Sequence, residues 1–406
     1  MLYSLFKYLD ELVSIPGARL FQYQTFRATL AIIISLMIAI WLGGKIISAL
    51  QKHQIGESVR NLGLDGEMKK KGTPTMGGLL ILFSTLCPAL LVCRLDNIYI
   101  QLLITASIWC GLLGFLDDYI KVFKHNKKGL KGWFKVFGQI GLGLIIGCTI
   151  CFSDNIVVRE NNDSTQQIKQ DVIYKTVHTK GFDVKTMKTT IPFVKNNEFD
   201  YGWFTNHNKL LTDVLYILVA IFIVVFLSNG ANLTDGLDGL CTGVSIPIII
   251  VLGILAYLSG NINYADYLNI MYIPASGEMM VFAAAMTGAL IGFLWFNSYP
   301  AQIFMGDTGS LAIGGIIAAF ALCIRKELLI PLMCGIFLLE SLSVTLQVAY
   351  FKRTKKKYGE GRRIFLMTPI HHHYQKKGMF ETKIMMRFTI ISIILCALTF
   401  ITLKIR

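Results

Sequence analysis

Apolar residues in this chain of 406 are gathered into ten blocks of about twenty, spread from one end to the other. A helix of about 20 residues crosses roughly 30 Å of hydrocarbon. Inside hydrocarbon every backbone N–H and C=O must be satisfied within the segment or by a closed barrel, which leaves helices for blocks of this length. The blocks fall at 26–48, 77–94, 98–117, 134–152, 211–229, 240–259, 279–296, 309–324, 328–350 and 384–403. Only 16% of residues are charged, against 54% hydrophobic, with a mean hydropathy of +0.56. Soluble domains carry roughly 25% charged residues, so a soluble globular chain is excluded. The expected fold is an all-α integral membrane protein of ten transmembrane helices, one polytopic domain over residues 1–406.

The net charge of +14 raises nucleic acid as a partner, but the placement of the charges argues for topology instead. Alternate loops, at 49–76, 118–133, 230–239, 297–308 and 351–383, hold Lys52, Arg60, Lys69, Lys70 and Lys71, then Lys121, Lys124, Lys127, Lys128 and Lys131, then a run from Lys352 to Arg363. By the positive-inside rule this face is cytoplasmic, and ten spans then put both termini outside. A basic face also suits anionic lipid head groups or a phosphorylated substrate, and no nucleic-acid partner is expected. The other set contains one long loop, 153–210, with eight basic and seven acidic residues. It reads as an external insertion with room for a small hairpin and no assigned chemistry. The first long apolar run begins near Ala28 and leads into Gly43, Gly44 and Lys45, so no cleavable signal peptide is expected. Nine cysteines without regular spacing do not form a disulfide framework, and the lone Cys148–Cys151 pair reads as helix filler.

Every unusual polar cluster falls on the face read as cytoplasmic. At the inner end of the third block, Asp117 and Asp118 set two carboxylates at the membrane boundary, where an ionised group is normally paired, solvated or functional. Between blocks five and six, Asn232 is followed by Asp235 and Asp238, each aspartate preceding a glycine, with no Lys or Arg from 230 to 239. Such acids call for a hard cation or for donors on a ligand, and an EF-hand is excluded by the spacing. Between blocks seven and eight run Asn297 and then Phe304, Met305, Gly306, Asp307, Thr308, Gly309 and Ser310. The glycines admit close approach, and the helix start favours phosphate. His371, His372 and His373 are consecutive in the last of these loops; diphosphate binding, proton transfer, zinc binding and a solvated loop are all open to them. Lys70 and Thr75 lie in a basic, hydroxyl- and glycine-rich stretch before the second block, where a positive-inside anchor accounts for the lysines alone. Each acidic cluster taken singly also fits a structural ion pair. Together, carboxylates, cations and histidines at one membrane face suit phosphoryl transfer between a soluble phosphate ester and a lipid phosphate, a chemistry of positioning and charge stabilisation.

Five motifs in order carry a family resemblance. They are the Lys-Gly-Thr-Pro-Thr-Met-Gly-Gly run ending at Gly78, Asp117-Asp118-Tyr119, the Asn-Leu-Thr-Asp-Gly-Leu-Asp-Gly run from Asn232, the Phe-Met-Gly-Asp-Thr-Gly-Ser run from Phe304, and Pro369-Ile370-His371-His372-His373. The chain closely resembles the phospho-N-acetylmuramoyl-pentapeptide transferase (translocase I) family of the polyprenyl-phosphate N-acetylhexosamine-1-phosphate transferase superfamily, over essentially its whole length except 153–210. The triple histidine after Thr-Pro-Ile is similar to the muramoyl branch. The resemblance implies transfer of phospho-MurNAc-pentapeptide from UDP-MurNAc-pentapeptide to undecaprenyl phosphate, giving lipid I and UMP, with Mg²⁺, in a homodimer of the bacterial inner membrane whose termini are periplasmic and whose active site faces the cytoplasm. It matches Asp307 to the magnesium ligand, Asp117 to the carboxylate that deprotonates or orients the lipid phosphate, Asp118 to its partner, and His371 with His372 and His373 to the diphosphate. Lys70, Asp238, Asn297 and Phe304 match the nucleoside pocket, Thr75, Asn232, Asp235 and Ser310 match neighbouring polar contacts, and Lys135 stands where a basic residue near substrate is expected, in a Gly132-Trp133-Phe134-Lys135 setting that departs from the usual pattern. Direct displacement and a covalent phospho-aspartate are both compatible with these residues.

Three other functions share part of this inventory. A sister enzyme would use UDP-N-acetylglucosamine. A secondary transporter would place its carboxylates at the bilayer midplane in broken helices, not at one face. A polyprenyltransferase with diphosphate-binding aspartates would not need the nucleoside-pocket residues.

Overall fold

The computed structural model describes residues 1–13, 17–52, 72–124, 129–160, 182–192 and 198–404. Helix α1 (Leu2–Val13) precedes α2 (Gln24–Lys52), α3 (Gly78–Val92), α4 (Ile98–Phe123) and α5 (Gly132–Phe152). Two antiparallel hairpins follow, β1 (Val158–Glu160) with β2 (Phe182–Val184) and β3 (Lys188–Thr190) with β4 (Glu198–Asp200). The second half holds α6 (Lys209–Thr234), α7 (Leu240–Ser259), α8 (Ile262–Leu268), α9 (Met279–Asn297), α10 (Gly306–Cys323), α11 (Ile330–Met333), α12 (Gly335–Tyr358), α13 (Ile370–Lys376) and α14 (Glu381–Lys404). Asn97 and Asn208 start α4 and α6 by accepting from Tyr99 N–H and Leu211 N–H, satisfying donors that the helix leaves open. Cys148 and Cys151 are free thiols in α5.

Among the described residues, eight helices are long and apolar enough to cross a membrane, nine if Glu327–Met333 and Gly335–Tyr358, bent by 78°, form one span. Two of the ten expected blocks therefore fold differently. The block 77–94 becomes α3, of 15 residues, which rises about 22 Å and falls short of a full hydrocarbon thickness. Its start is fixed from outside the helix: Met76 takes φ 73°, and Gly77 and Gly78 donate to the carbonyls of Phe304 and Met305, both at 2.8 Å. The block 328–350 breaks at Cys334 (φ −98°, ψ 29°), and its second helix runs on to Tyr358 with Lys355, Lys356 and Lys357 in the last turn.

Helix α10 is buried from Thr308 to Cys323 and packs against α3, α4 and α6. The backbones meet so closely that a Cβ at Gly78 would lie 2.0 Å from Gly309 N, and one at Gly114 would lie 2.2 Å from Asp307 O. Small residues at crossings let membrane helices gain dispersion contacts that lipid cannot outbid. This crossing carries Asp307 onto the end of α4.

The described parts of the loops expected on one face meet at one end of the bundle, where α4, α6 and α9 finish and α3, α5 and α10 begin. At the other end Arg27 and Glu278, both buried, form a two-point ion pair, and Glu278 also accepts from Arg94 N–H at 2.9 Å. The described part of the insertion closes over the turn after α10. Thr190 N–H donates to Arg325 O at 3.0 Å, Lys326 Nζ donates to Thr190 Oγ1 at 2.5 Å, and Tyr201 OH donates to Glu327 Oε1 at 3.3 Å. Burial pushes the Lys326 ammonium down to about 8.

Candidate active site

The site is built where helix ends converge. Asp117 and Asp118 come from the last turns of α4, Lys135 from the first turn of α5, Asn232 from the last turn of α6, and Asp307 with Ser310 from the first turn of α10. Adjacent positions on a helix point about 100° apart, so the two neighbouring aspartates do different work.

Asp118 faces α10. Its Oδ1 accepts Asp307 N–H at 3.1 Å, and its Oδ2 accepts the N–H and hydroxyl of Thr308 at 2.9 and 2.6 Å. A carboxylate at a helix N-terminus satisfies open N–H groups and complements the helix dipole. Gly306, at φ 74°, is required on two counts: a side chain there would be strained, and its Cβ would lie 2.7 Å from Asp118 Oδ2 and 3.0 Å from Thr75 Oγ1. Thr75 is thus brought to the rim of the carboxylate cluster.

Asp117 faces the other way and is fully buried. Its Oδ1 accepts Leu130 N–H at 2.6 Å, tying down the approach to α5. Its Oδ2 lies 2.6 Å from Lys121 Nζ and 3.0 Å from Lys135 Nζ. The same two ammonium groups reach Asp307 Oδ2, at 3.1 and 2.5 Å. Asn232 Nδ2 donates to Asp307 Oδ1 and to Ser310 Oγ, both at 2.9 Å, which fixes the rotation of the Asp307 carboxylate. Asp117, Asp118 and Asp307 offer oxygens within 4.8 Å of one another. These are hard ligands with no thiolate, a set that suits Mg²⁺ better than zinc.

A second group lies beside the first. Asp238 Oδ2 accepts Ala301 N–H at 3.0 Å. Asn297 accepts from Gly239 N–H and Thr242 Oγ1 and donates to Ile303 O at 2.8 Å, so it staples the 238–242 and 301–304 segments together. Phe304 is half-buried, and its N–H donates to Pro74 O at 2.8 Å. Next to these segments a cleft of about 530 Å³ is lined by Gly72, Thr73, Pro74, Ala301 and Gln302 among others. The three clustered aspartates do not line it.

Asp235 ends α6, and the turn after it meets His371, which is fully buried, with Nδ1 3.1 Å from Glu340 Oε1. The three histidines diverge. His372 Nδ1 lies 2.6 Å from Gln375 Oε1, and His373 Nδ1 accepts Leu366 N–H at 3.1 Å. Burial, then Lys377, holds the His373 imidazole below its usual value. Lys70 lies outside the described residues.

Sequence reasoning missed three members. Lys121 is one helical turn from Asp117, a spacing that pairs opposite charges, but it read as one more positive-inside lysine. Glu340 is an ionisable residue inside an apolar block, which is itself a functional signal. Thr308 stands in the run from Phe304 without a role of its own, since its contact with Asp118 exists only once α4 crosses α10.

The chain matches the glycosyl transferase family 4 profile over residues 100–325 and the phospho-N-acetylmuramoyl-pentapeptide-transferase signature 1 over residues 70–82. It is 57% identical to the phospho-N-acetylmuramoyl-pentapeptide-transferase of Flavobacterium psychrophilum, and 54% identical to the proteins of that name from Parabacteroides distasonis and Flavobacterium johnsoniae. In each comparison the whole of both chains is covered. With identity at this level from end to end, the chain belongs to the phospho-N-acetylmuramoyl-pentapeptide-transferase family.

Proposed function

We propose that this protein transfers phospho-MurNAc-pentapeptide from UDP-MurNAc-pentapeptide to undecaprenyl phosphate, forming lipid I and releasing UMP, the first membrane step of peptidoglycan synthesis. The observation that carries the reaction class is the pair Asp117 and Asp307 joined through Lys121 and Lys135 at converging helix ends. The transferred group is the one named by the full-length relatives, which favours this reading over the UDP-N-acetylglucosamine enzyme. A multi-pass place in the bacterial inner membrane, ten spans counting α3 and the bent pair, periplasmic termini and insertion, a cytoplasmic active site and a homodimer complete the proposal.

Asp307 and Asp117 are the residues that would hold Mg²⁺: their Oδ2 atoms meet the side-chain ammonium groups of Lys121 and Lys135, which a cation can displace, whereas both oxygens of Asp118 are fixed by the start of α10. The ion would supply neutralisation of charge on the diphosphate. Asn232 keeps the Asp307 carboxylate turned toward the cluster. Lys121 and Lys135 offer ammonium donors for phosphate oxygens, and Asp117 orients or deprotonates the lipid phosphate. A lipid phosphate oxygen bonds to the β-phosphorus of the UDP-sugar as the bond from that phosphorus to the bridging oxygen breaks, and the electron pair leaves on UMP. Phe304 offers a stacking face for uracil, with Asp238 and Asn297 on the adjoining segments, and Lys70, outside the described residues, is assigned to the same nucleoside pocket from the sequence motif. Thr75, Asp235 and Ser310 supply neighbouring polar contacts, and His371, with His372 and His373 next to it in the chain, would bind the diphosphate.

The test is UMP release by the purified full chain from UDP-MurNAc-pentapeptide, with and without undecaprenyl phosphate and Mg²⁺, with UDP-N-acetylglucosamine in parallel. Release only with all three components supports the proposal. Turnover of UDP-N-acetylglucosamine alone, or none of either, overturns it. Single turnover without the lipid acceptor separates direct displacement from a covalent intermediate.

A further inference from the structure

Glu340 and His371 are both fully buried, on elements separated by 31 positions in the sequence, and their side chains meet at 3.1 Å. Glu340 lies in α12 shortly after the bend, and His371 is in the first turn of α13. An isolated carboxylate in such a place costs several kcal/mol unless it is paired, so its presence needs a reason. An ionised carboxylate only accepts hydrogen bonds. With Glu340 ionised, the contact puts the proton on Nδ1 of His371 and leaves Nε2 as the free end of the ring. That Nε2 has no hydrogen-bond partner among the described residues. It points at Gly236, in the acidic turn between Asp235 and Asp238, where an added Cβ would lie 2.2 Å from it. Glycine at 236 is thus explained by the ring edge that fills the space of its missing side chain.

His372 and His373 are not interchangeable with it. Their Nδ1 atoms are taken up locally, by Gln375 and by Leu366 N–H, and neither ring is fully buried.

We propose that Glu340 is the positioning residue of the active site: by holding His371 Nδ1–H it selects one tautomer and aims Nε2 at the 235–238 turn. A buried Nε2 without a protein partner is a polar atom kept for a ligand, and in this tautomer it accepts, so the group it takes is one that carries a proton, a hydroxyl or a protonated phosphate oxygen of the substrate proposed above. The substrate clause rests on that function, whereas the tautomer does not.

The experiment compares Glu340→Leu, Glu340→Gln and the parent as full chains in detergent. Partners that orient an essential imidazole contribute about 10- to 100-fold. Glu340→Leu is expected to lose that much in kcat with KM for the nucleotide sugar changed less than about threefold, and Glu340→Gln, which keeps an acceptor oxygen, to recover most of it. The tautomer is read separately by ¹⁵N spectra of histidine-labelled protein, with His371 assigned by its disappearance in His371→Asn. The parent should show Nδ1 protonated and Glu340→Leu should lose that pattern. An unchanged pattern in Glu340→Leu, or kcat within twofold of the parent, overturns the proposal, as does a glutamine variant no better than leucine. A parent that shows the Nδ1-protonated pattern but has no transferase activity overturns the assigned reaction and leaves the tautomer assignment standing.

Discussion

Asp118 on α4 accepts both the backbone N–H and the hydroxyl of Thr308 on α10, at 2.9 and 2.6 Å. One carboxylate thereby caps a helix that is 190 positions away in sequence and sets the height of Asp307 beside Asp117. Asp118 acts through this contact; Asp117 and Asp307 are the pair that face the lysines.

Loss of this cap should appear first as lost stability. Hydrogen bonds to charged groups contribute about 1.5–3 kcal/mol each. Asp118→Ala is expected to lower stability by about 3 kcal/mol or more and Thr308→Val by about 1 kcal/mol, measured by thermal unfolding in detergent. Equal unfolding midpoints for Asp118→Ala and the parent would show that the cap does not hold α10.

Asp307→Asn keeps the shape and the acceptor for Asn232 but removes the charge shared by Lys121 and Lys135. Turnover should fall to background while the unfolding midpoint stays within a few degrees, and added Mg²⁺ should not restore it. Full metal-dependent activity in this variant would remove Asp307 from the proposed cation site. Chelation with EDTA should silence the parent reversibly.

Lys135→Gln removes one of the two ammonium groups between Asp117 and Asp307. With less positive charge there, a divalent cation should bind more tightly and a phosphate-bearing substrate more weakly. A change of about 1.4 kcal/mol is about tenfold in either constant. Mn²⁺ titration followed by electron paramagnetic resonance and KM for the nucleotide sugar test the two directions. A Mn²⁺ affinity that is unchanged or weaker contradicts the charge argument.

At the opposite end of the bundle, Lys326 is fully buried, and burial lowers its ammonium from the ordinary 10.5 to about 8. Between about pH 8 and 10.5 the unfolded chain binds a proton that the folded chain has released, so this group makes stability rise with pH across that window. The unfolding midpoint at pH 9.5 relative to pH 7.5 should therefore be higher in the parent than in Lys326→Met. An identical pH response in the two proteins would show that Lys326 does not carry this effect.

The sequence by itself determined the membrane class, the long apolar segments that become helices, and the gathering of Asp117, Asp118, Asn232, Asp307 and His371 at the ends of those segments on one face. Those features depend on apolar block length, charge bias and local spacing, all of which are written along the chain. The short helices α1, α8 and α13 were not legible in the sequence. Block 77–94 yields a helix of only 15 residues and block 328–350 a bent one, because their ends are set by features the apolar pattern does not carry, the carbonyls of Phe304 and Met305 for the first and a non-helical Cys334 for the second. Only the tertiary structure separated the neighbouring aspartates, giving Asp118 to the start of α10 and Asp117 to the lysines. Only it drew Lys121, Thr308 and Glu340 into the site. Hydrogen bonds and ion pairs act over about 3 Å, and which side chains come that close is decided by how the helices cross, here through glycines at 78, 114 and 309 that leave no room for a side chain.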